Sequence, residues 1–135
     1  WFNPPVRLLT GATMVSITTS STTIVELSPS TSTYRVSWVA FAGREGEAEF
    51  QGFMSNTTVS VYTTATVGVD STATAGTDTV LWNSQNPAIQ GPFNVYVPIA
   101  SSTVFTEGRH FITPMGFSNT TGVSNYTGTV RGFVV

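Results

Sequence analysis

The chain has 135 residues, the length of one typical domain, and 40% of them are hydrophobic while only 9% are charged. Hydroxyl side chains supply most of its polarity, with 24 Thr, 15 Ser and no Lys, and the formal net charge is -2. The five Arg are scattered singly, so no basic stripe is present to bind nucleic acid or an anionic membrane surface. The absence of Cys excludes disulfides and thiol chemistry.

Alternation of apolar and polar side chains predicts β-strands along most of the chain, and no segment has a convincing helical pattern. The predicted strands, in chain order, are 13–18, 22–27, 33–42, 47–54, 57–69, 80–82, 93–99, 103–115 and 122–135. Loops are expected at 70–78, which is small and polar, and at 83–92, which contains Pro and Gly. Eight or nine strands at this spacing predict an all-β fold, an antiparallel β-sandwich of jelly-roll type.

The most apolar of these strands, 33–42, is expected to be central in its sheet. Its alternation places Trp38 on one face and Arg35 and Ser37 on the other. No apolar run approaches the roughly 18 residues that a membrane-spanning helix needs. We expect a single sandwich domain at 10–135, preceded by an extended arm at 1–9.

The arm is apolar at both ends and rigid in its middle. Because it begins with Trp1, we expect either a removed leader or a domain boundary before it. Two consecutive Pro keep such a segment extended, which suits an arm that grips a neighbouring capsomer or donates a strand to an open sheet edge. The predicted assembly residues are Trp1, Phe2, Pro4, Pro5, Val6, Leu8 and Leu9.

An acidic stretch follows the turn at 43–46. On a strand its alternating glutamates would share one face at intervals of about 6.6 to 6.8 Å. That spacing overlaps the roughly 6.5 to 9.5 Å between the carboxylates of inverting glycosidases, but a catalytic acid needs an apolar pocket and the neighbours here are Gly and Ala. We interpret the stretch as a hairpin whose glutamates face water. Alternatively, the charged residues of this stretch lie at an interface between subunits. These residues are Arg44, Glu45, Glu47 and Glu49.

The remaining ionisable residues do not form a recognisable catalytic or metal-binding pattern. His110 is the only histidine, which excludes a His-pair metal site, and we expect it to face solvent or a subunit interface. Asp70 and Asp78 lack the ligand spacing of known calcium loops. A nucleophile elbow and a phosphate-binding loop are both missing from the sequence. We therefore predict no catalytic residue, no metal and no cofactor.

Two sets of residues are candidates for carbohydrate at the surface. Asn56, Asn119 and Asn125 begin Asn-x-Thr sequons and are candidate glycosylation sites, although chance matches are common in a Thr-rich chain. Trp82 and Tyr126 are expected to be exposed and are candidates for stacking on a bound sugar.

Three segments carry a resemblance to a known family: STYRVSW at 32–38, FTEGRHFITP at 105–114 and GTVRGFVV at 128–135. Together they resemble the C1q/TNF-like trimeric jelly-roll modules of phage fibres and capsid-decoration proteins. More loosely, the chain is similar to the protruding domains of viral coats and to Thr-rich subunits of archaeal surface filaments. The resemblance implies a trimer with aromatic side chains around a threefold axis, for which the candidates are Trp38, Phe41, Tyr96 and Phe117.

The expected function is therefore structural. We expect a non-enzymatic protein of a virion exterior, either a capsid decoration or protrusion or a fibre head, whose partners are itself and a major capsid protein. The alternative is a subunit of an extracellular filament assembled by donor-strand exchange. A carbohydrate- or receptor-binding head for host attachment is the third hypothesis.

Overall fold

The computed structural model describes residues 7–27, 33–40, 46–76, 78–99, 107–120 and 122–134. This part of the chain contains nine β-strands and no helix. The strands are β1 (Arg7–Thr19), β2 (Val25–Glu26), β3 (Val36–Ala40), β4 (Gly46–Asn56), β5 (Tyr62–Val69), β6 (Thr79–Asn83), β7 (Gly91–Ile99), β8 (Gly108–Ser118) and β9 (Ser124–Val134). Helices long and apolar enough to cross a membrane are accordingly not found among these residues.

The strands form two antiparallel sheets that pack face to face. One sheet has four strands in the order β1-β9-β4-β7. The other has five, in the order β2-β8-β5-β6, with β3 also paired to β8. The chain crosses from one sheet to the other at most of its connections, as expected for a jelly roll. The prediction of an all-β antiparallel sandwich with eight or nine strands is confirmed.

An apolar core fills the space between the sheets. Burying a large apolar side chain contributes about 1.5 to 3 kcal/mol relative to leaving it exposed. Core side chains from both sheets therefore hold the sandwich together. Phe50 of β4 and Phe93 of β7 meet edge to face, with ring centroids 4.6 Å apart. The other core residues include Met14, Val36, Trp38, Met54, Ala65, Val67, Val95, Ile112, Tyr126 and Val130.

The first strand is longer than the sequence indicated. β1 begins at Arg7 and pairs with β9 from the start, with Leu8 opposite Phe133 and Leu9 opposite Gly132. Leu8 and Leu9, which were predicted to be part of a separate arm, are therefore strand residues of this chain's own sheet. Two register shifts interrupt the pairing, and Ser16 adopts a φ of 53° at the second. These bulges break the alternation, which is why the pattern hid one continuous strand.

Two other predicted strands are shorter in the structure. The segment 22–27 contributes only Val25–Glu26 as β2. The segment 57–69 becomes a strand only at Tyr62, because a turn occupies 57–61 and Ser60 has a φ of 62°. The side chain of Asn56 accepts a hydrogen bond from the Thr58 amide at 2.9 Å, which is the local bond that favours a turn over a strand.

Candidate functional site

The outer face of the four-stranded sheet presents aromatic side chains to solvent. Phe53 on β4 is 51% exposed and Tyr96 on the neighbouring β7 is 45% exposed. Val15 on β1 is also exposed, and Pro92 lies opposite Phe53 in the register. Large exposed aromatics on one sheet face are typical of surfaces that bind another protein.

Acidic residues of β4 share this outer face. Glu47 is exposed, as predicted, but Glu49 is only 6% exposed, so the prediction that it faces water is wrong. In the register Glu49 lies between Tyr96 of β7 and Arg131 of β9. The alternation of the sequence gave the correct face, but it could not show that large cross-strand neighbours flank the carboxylate on both sides. Arg44 and Glu45 lie outside the described residues.

The four aromatic residues considered for a threefold axis are not on one surface. Trp38 belongs to the core, where it is almost fully buried. Phe117 is half-buried on β8 of the other sheet, and Phe41 lies outside the described residues. Tyr96 alone among the described candidates lies exposed on the four-stranded sheet.

The five-stranded sheet carries an ion pair on its outer face. Arg35, just before β3, donates from Nε and Nη2 to the two carboxylate oxygens of Glu26 on β2, at 2.6 and 2.8 Å. The Thr113 hydroxyl donates to Glu26 as well, at 2.6 Å. These donors, with Arg35 first, hold the pKa of Glu26 below its usual value, and the same pair raises the pKa of Arg35. The Arg35 guanidinium lies 4.6 Å from the ring centre of Phe111.

A hydrogen-bonded pair of Asp70 and His110 lies at the end of the same sheet. Asp70 follows β5 with a φ of 51°, a backbone conformation that Asp tolerates better than most residues. Its Oδ2 accepts a hydrogen bond from His110 Nδ1 at 2.6 Å, and its Oδ1 accepts the Phe111 amide at 2.8 Å. The His110 ring lies 5.9 Å from the Trp38 ring.

The placement of His110 corrects the sequence prediction. We expected this side chain at the solvent or at an interface, but it is 6% exposed and lies inside the sandwich. Its strand β8 turns Ile112 into the core, and His110 shares that face because the two are separated by one residue. Phe111, the residue between them, is on the outer face, where it lies opposite Ser37.

A cleft opens where β3 pairs with β8. Ser37 lies opposite Phe111 and Val39 opposite Arg109 in this pairing. The cleft has a volume of about 360 Å³, and its lining consists of Arg35, Ser37, Arg109, His110 and Phe111. Arg109 is exposed and makes no ion pair with any residue that the structure describes.

The turns at one end of the sandwich are held by a buried polar cluster around Asn56. This side chain is 1% exposed, and its amide nitrogen lies 3.0 to 3.3 Å from the hydroxyls of Ser124, Ser118 and Thr63. The Asn56 backbone carbonyl accepts the Ser84 hydroxyl at 3.2 Å. A glycan has no room on such a side chain, so the prediction that Asn56 is a glycosylation site is contradicted.

The other two sequons have different surroundings. Asn119 is exposed, and its side-chain oxygen accepts the Tyr62 amide at 2.9 Å. Asn125 is half-buried on β9, where its side-chain oxygen accepts the Ser16 hydroxyl at 3.4 Å. Asn119 therefore remains the more accessible candidate.

The two aromatic residues predicted to stack on sugars do not present free ring faces. Tyr126 is fully buried, and its hydroxyl donates to the Thr64 carbonyl at 2.8 Å. Burial raises the pKa of this hydroxyl well above its usual value. Trp82 is half-buried against the core and packs so closely on Gly91 that a side chain there would overlap the indole ring. Their predicted exposure was wrong.

The acidic residues considered for calcium are used elsewhere. Asp70 binds His110 and Phe111, whereas Asp78 accepts the Tyr96 amide at 3.1 Å. Within the described ranges, no group of three or more His, Asp or Glu side chains could hold a metal ion.

Comparison with known proteins gives a likeness of structure and not of sequence. No protein-family model and no curated protein sequence matches the chain. A chain from the structure of infectious bursal disease virus, Gt strain, matches with a TM-score of 0.55 and 11% identity, covering 96% of this chain and 33% of the viral chain. A chain from the Gx strain matches with a TM-score of 0.54 and 12% identity, covering 98% of this chain and 32% of the viral chain. Eiger TNF from S. frugiperda matches with a TM-score of 0.48 and 13% identity, covering 96% of this chain and 90% of the Eiger chain.

The likeness to the two viral chains confirms, as a likeness of fold alone, the resemblance to viral coat domains predicted from the sequence. This chain spans about a third of the length of the two viral chains. At 11% and 12% identity the viral matches show a likeness of fold alone and carry no information on individual site residues.

Sequence reasoning missed the pair of Arg35 with Glu26, the pair of His110 with Asp70 and the cleft of the five-stranded sheet. The sequence contained one signal of this site. Arg35 and Ser37 alternate with the core residues Val36 and Trp38, which places both on the outer face of the strand. The partner strand was the missing information. Only the pairing of β3 with β8 brings Arg109 to the same place, and a single sequence does not specify which strands pair.

Proposed function

We propose that this protein is a non-enzymatic structural subunit of a virion exterior, a capsid protrusion, decoration protein or fibre head, that assembles with copies of itself. The assembly surface is the outer face of the four-stranded sheet, where it is defined by Val15, Phe53, Pro92 and Tyr96. The observation that carries the proposal is the exposure of Phe53 and Tyr96, 51% and 45%, on adjacent strands of one face. Aromatic side chains dominate the binding energy of protein interfaces.

The charges of this face also suit burial against another copy. Glu49 lies beside Arg131 in the register of β4 and β9, so these opposite charges offset each other within the face. An interface that covers Glu49 and Arg131 together buries no net charge from these two residues, which limits their desolvation cost.

The fold supports the viral assignment. Both viral chains match nearly the whole of this chain, so a domain of this architecture occurs in a virus particle. The proposal extends that likeness to this protein and places it at the virion surface, as a trimer with a major capsid protein as its further partner.

A structural role also fits the ionisable groups near the cleft. Glu26 and Asp70 each accept hydrogen bonds on both carboxylate oxygens. A general acid or base must exchange its proton with a substrate, and the oxygens of these carboxylates already accept hydrogen bonds from protein donors. We propose that they fix the sheet end and do not take part in turnover.

The test is the mass of the protein in solution, measured by sedimentation equilibrium. We expect the wild-type chain to sediment as an oligomer and Phe53→Asp to sediment as one chain, because a carboxylate at the centre of an apolar interface is costly to bury. The matched control is Leu81→Asp, since Leu81 is 59% exposed on the outer face of the other sheet. Leu81→Asp should keep the wild-type mass.

Three results would overturn or redirect the proposal. A wild-type monomer at every concentration, or equal dissociation in the two variants, contradicts assembly through this face. Long polymers that become monomers on deletion of residues 1–6 would instead support the donor-strand filament. The deletion stops at residue 6 because β1 begins at Arg7.

A further inference from the structure

The cleft of the five-stranded sheet has the chemistry of a ligand site, and it is on the opposite side of the sandwich from the proposed assembly surface. It lies along the outer rows of β3 and β8, where Ser37 faces Phe111 across the pair and Arg109 is one step further along β8. Its volume of about 360 Å³ is far larger than a single small ion needs. This size falls at the lower end of small-molecule sites, which are roughly 300 to 1,000 Å³.

The carboxylates beside the cleft are occupied by protein donors. Both oxygens of Glu26 accept hydrogen bonds from Arg35, and one also accepts the Thr113 hydroxyl. Both oxygens of Asp70 are likewise used, one by His110 and one by the Phe111 amide. An incoming ligand therefore meets acidic groups whose acceptor positions are already engaged.

The donors, by contrast, are only partly used. Arg35 binds Glu26 through Nε and Nη2, and the guanidinium has five N–H groups in a rigid fork, so its Nη1 hydrogens remain for a ligand. Its contact with Phe111 and its ion pair hold the guanidinium plane in place. Arg109 is exposed and has no carboxylate partner among the described residues, and Ser37 adds an exposed hydroxyl.

We propose that this cleft binds an acidic saccharide through its carboxylate or sulfate group. Two guanidinium groups match the planar or tetrahedral oxygens of such an anion, which they can bind with paired hydrogen bonds. The rest of the lining is Ser37, Phe111 and His110, and the Ser hydroxyl and the Phe ring suit the hydroxyls and the apolar edge of a sugar. The volume has room for one monosaccharide unit beyond the anionic group.

Direct binding measurements with matched sugars test the proposal. We would titrate the wild-type protein with 3'-sialyllactose, with a sulfated heparin disaccharide, with neutral lactose and with sodium sulfate, and follow amide chemical shifts. We expect at least one acidic saccharide to bind with shifts at β3 and β8, and lactose to give none. Added salt should weaken the binding, because the attraction is ionic.

Arg109→Gln is the informative variant, because Arg109 is exposed and its loss does not disturb a described ion pair. It should weaken binding of the acidic saccharide by at least about tenfold, the loss expected for one charge-assisted contact. The matched control is Arg131→Gln on the four-stranded sheet, which should bind as the wild type does. Thermal unfolding of both variants checks that the fold is retained.

Several outcomes would overturn the proposal. These are binding of lactose as tight as that of sialyllactose, no binding of either acidic saccharide, equal binding by Arg109→Gln and the wild type, or sulfate binding as tightly as the sulfated sugar. Assembly is tested separately, since Phe53→Asp should keep the binding and Arg109→Gln should keep the wild-type mass. Failure of one proposal is therefore distinguishable from failure of the other.

Discussion

The two outer faces of the sandwich differ in the contacts and the exposure of their charged and aromatic side chains. On the five-stranded sheet, Arg35 is paired with Glu26 and lies against the ring of Phe111. On the four-stranded sheet, Phe53 and Tyr96 extend into solvent. The first face pairs Arg35 with a carboxylate, leaves Arg109 without an ion pair among the described residues, and forms a concave site. The second leaves its largest side chains for a partner outside the chain, which is why we assign ligand binding to one and assembly to the other.

The same comparison bears on the acidic stretch of the sequence. The glutamates of this stretch are on β4, where Glu47 is exposed and Glu49 lies between Tyr96 and Arg131. The chemically richer cluster is on the other sheet and was not indicated by any acidic run. A run of charges in a sequence locates a surface, but the chemistry depends on which strands bring distant residues together.

The largest effect is expected from a change that breaks the four-stranded sheet itself. At Gly52 of β4 an added Cβ would lie 1.9 Å from the Thr127 carbonyl oxygen of β9 and 2.7 Å from the Gly128 Cα. The obstacle is backbone, so it cannot move aside as a side chain would. We expect Gly52→Ala to lower the free energy of unfolding by about 3 kcal/mol, as measured by urea denaturation. A variant as stable as the wild type would show that β4 and β9 are further apart than described.

The next largest effect compares one arginine from each face. Arg35→Met leaves the Glu26 carboxylate, only 13% exposed, without its ionic partner and should cost about 2 kcal/mol of unfolding free energy. Arg131→Met on the four-stranded sheet should cost less than about 1 kcal/mol, because Arg131 forms no ion pair with any residue that the structure describes. Chemical denaturation of both variants measures the difference. Equal losses would contradict the claim that the two faces hold their charges differently.

A smaller effect, dependent on pH, sharpens the view of the five-stranded face. Arg35 lowers the pKa of Glu26 below its ordinary value of 4.5, so the stability contributed by this carboxylate is present above that pH. It is lost as the pH falls through the lowered pKa, where the folded carboxylate takes up its proton. We expect Glu26→Gln to be less stable than the wild type by about 1.5 kcal/mol at neutral pH. The two stability curves should converge in acid, and a difference that persists there would mean that packing and not charge is responsible.

Much of the architecture could be predicted from the sequence, and the reason is the period of the strands. Alternation identified the β-class and put Val36 and Trp38 on the buried face of β3. It failed at β1, where two bulges shift the register, and at 57–61, where the Asn56 side chain forms a turn. A period of two locates faces, but it contains no information on bulges or on local side-chain bonds.

The candidate sites were predicted less well, for a related reason. His110 and Tyr126 were expected at the surface, but both point into the sandwich, where they bind groups from strands or loops distant in sequence. Asn56 was assigned to a sequon and proved to be the centre of a buried cluster. In each case a polar side chain is buried because a partner satisfies it, and that partner is visible only in three dimensions.

The last prediction concerns a hydrogen bond that links the two sheets. Tyr126 belongs to β9 of the four-stranded sheet, and its hydroxyl donates to the Thr64 carbonyl of β5 in the other sheet. Tyr126→Phe removes this bond while keeping the ring, so we expect a loss of about 1 kcal/mol at neutral pH. Burial raises the pKa of the hydroxyl, so its contribution is complete below the unfolded pKa of about 10 and declines above it. Wild-type stability should therefore fall more steeply than that of Tyr126→Phe in alkali. Parallel curves above about pH 10 would show that the two sheets are joined by their apolar core alone.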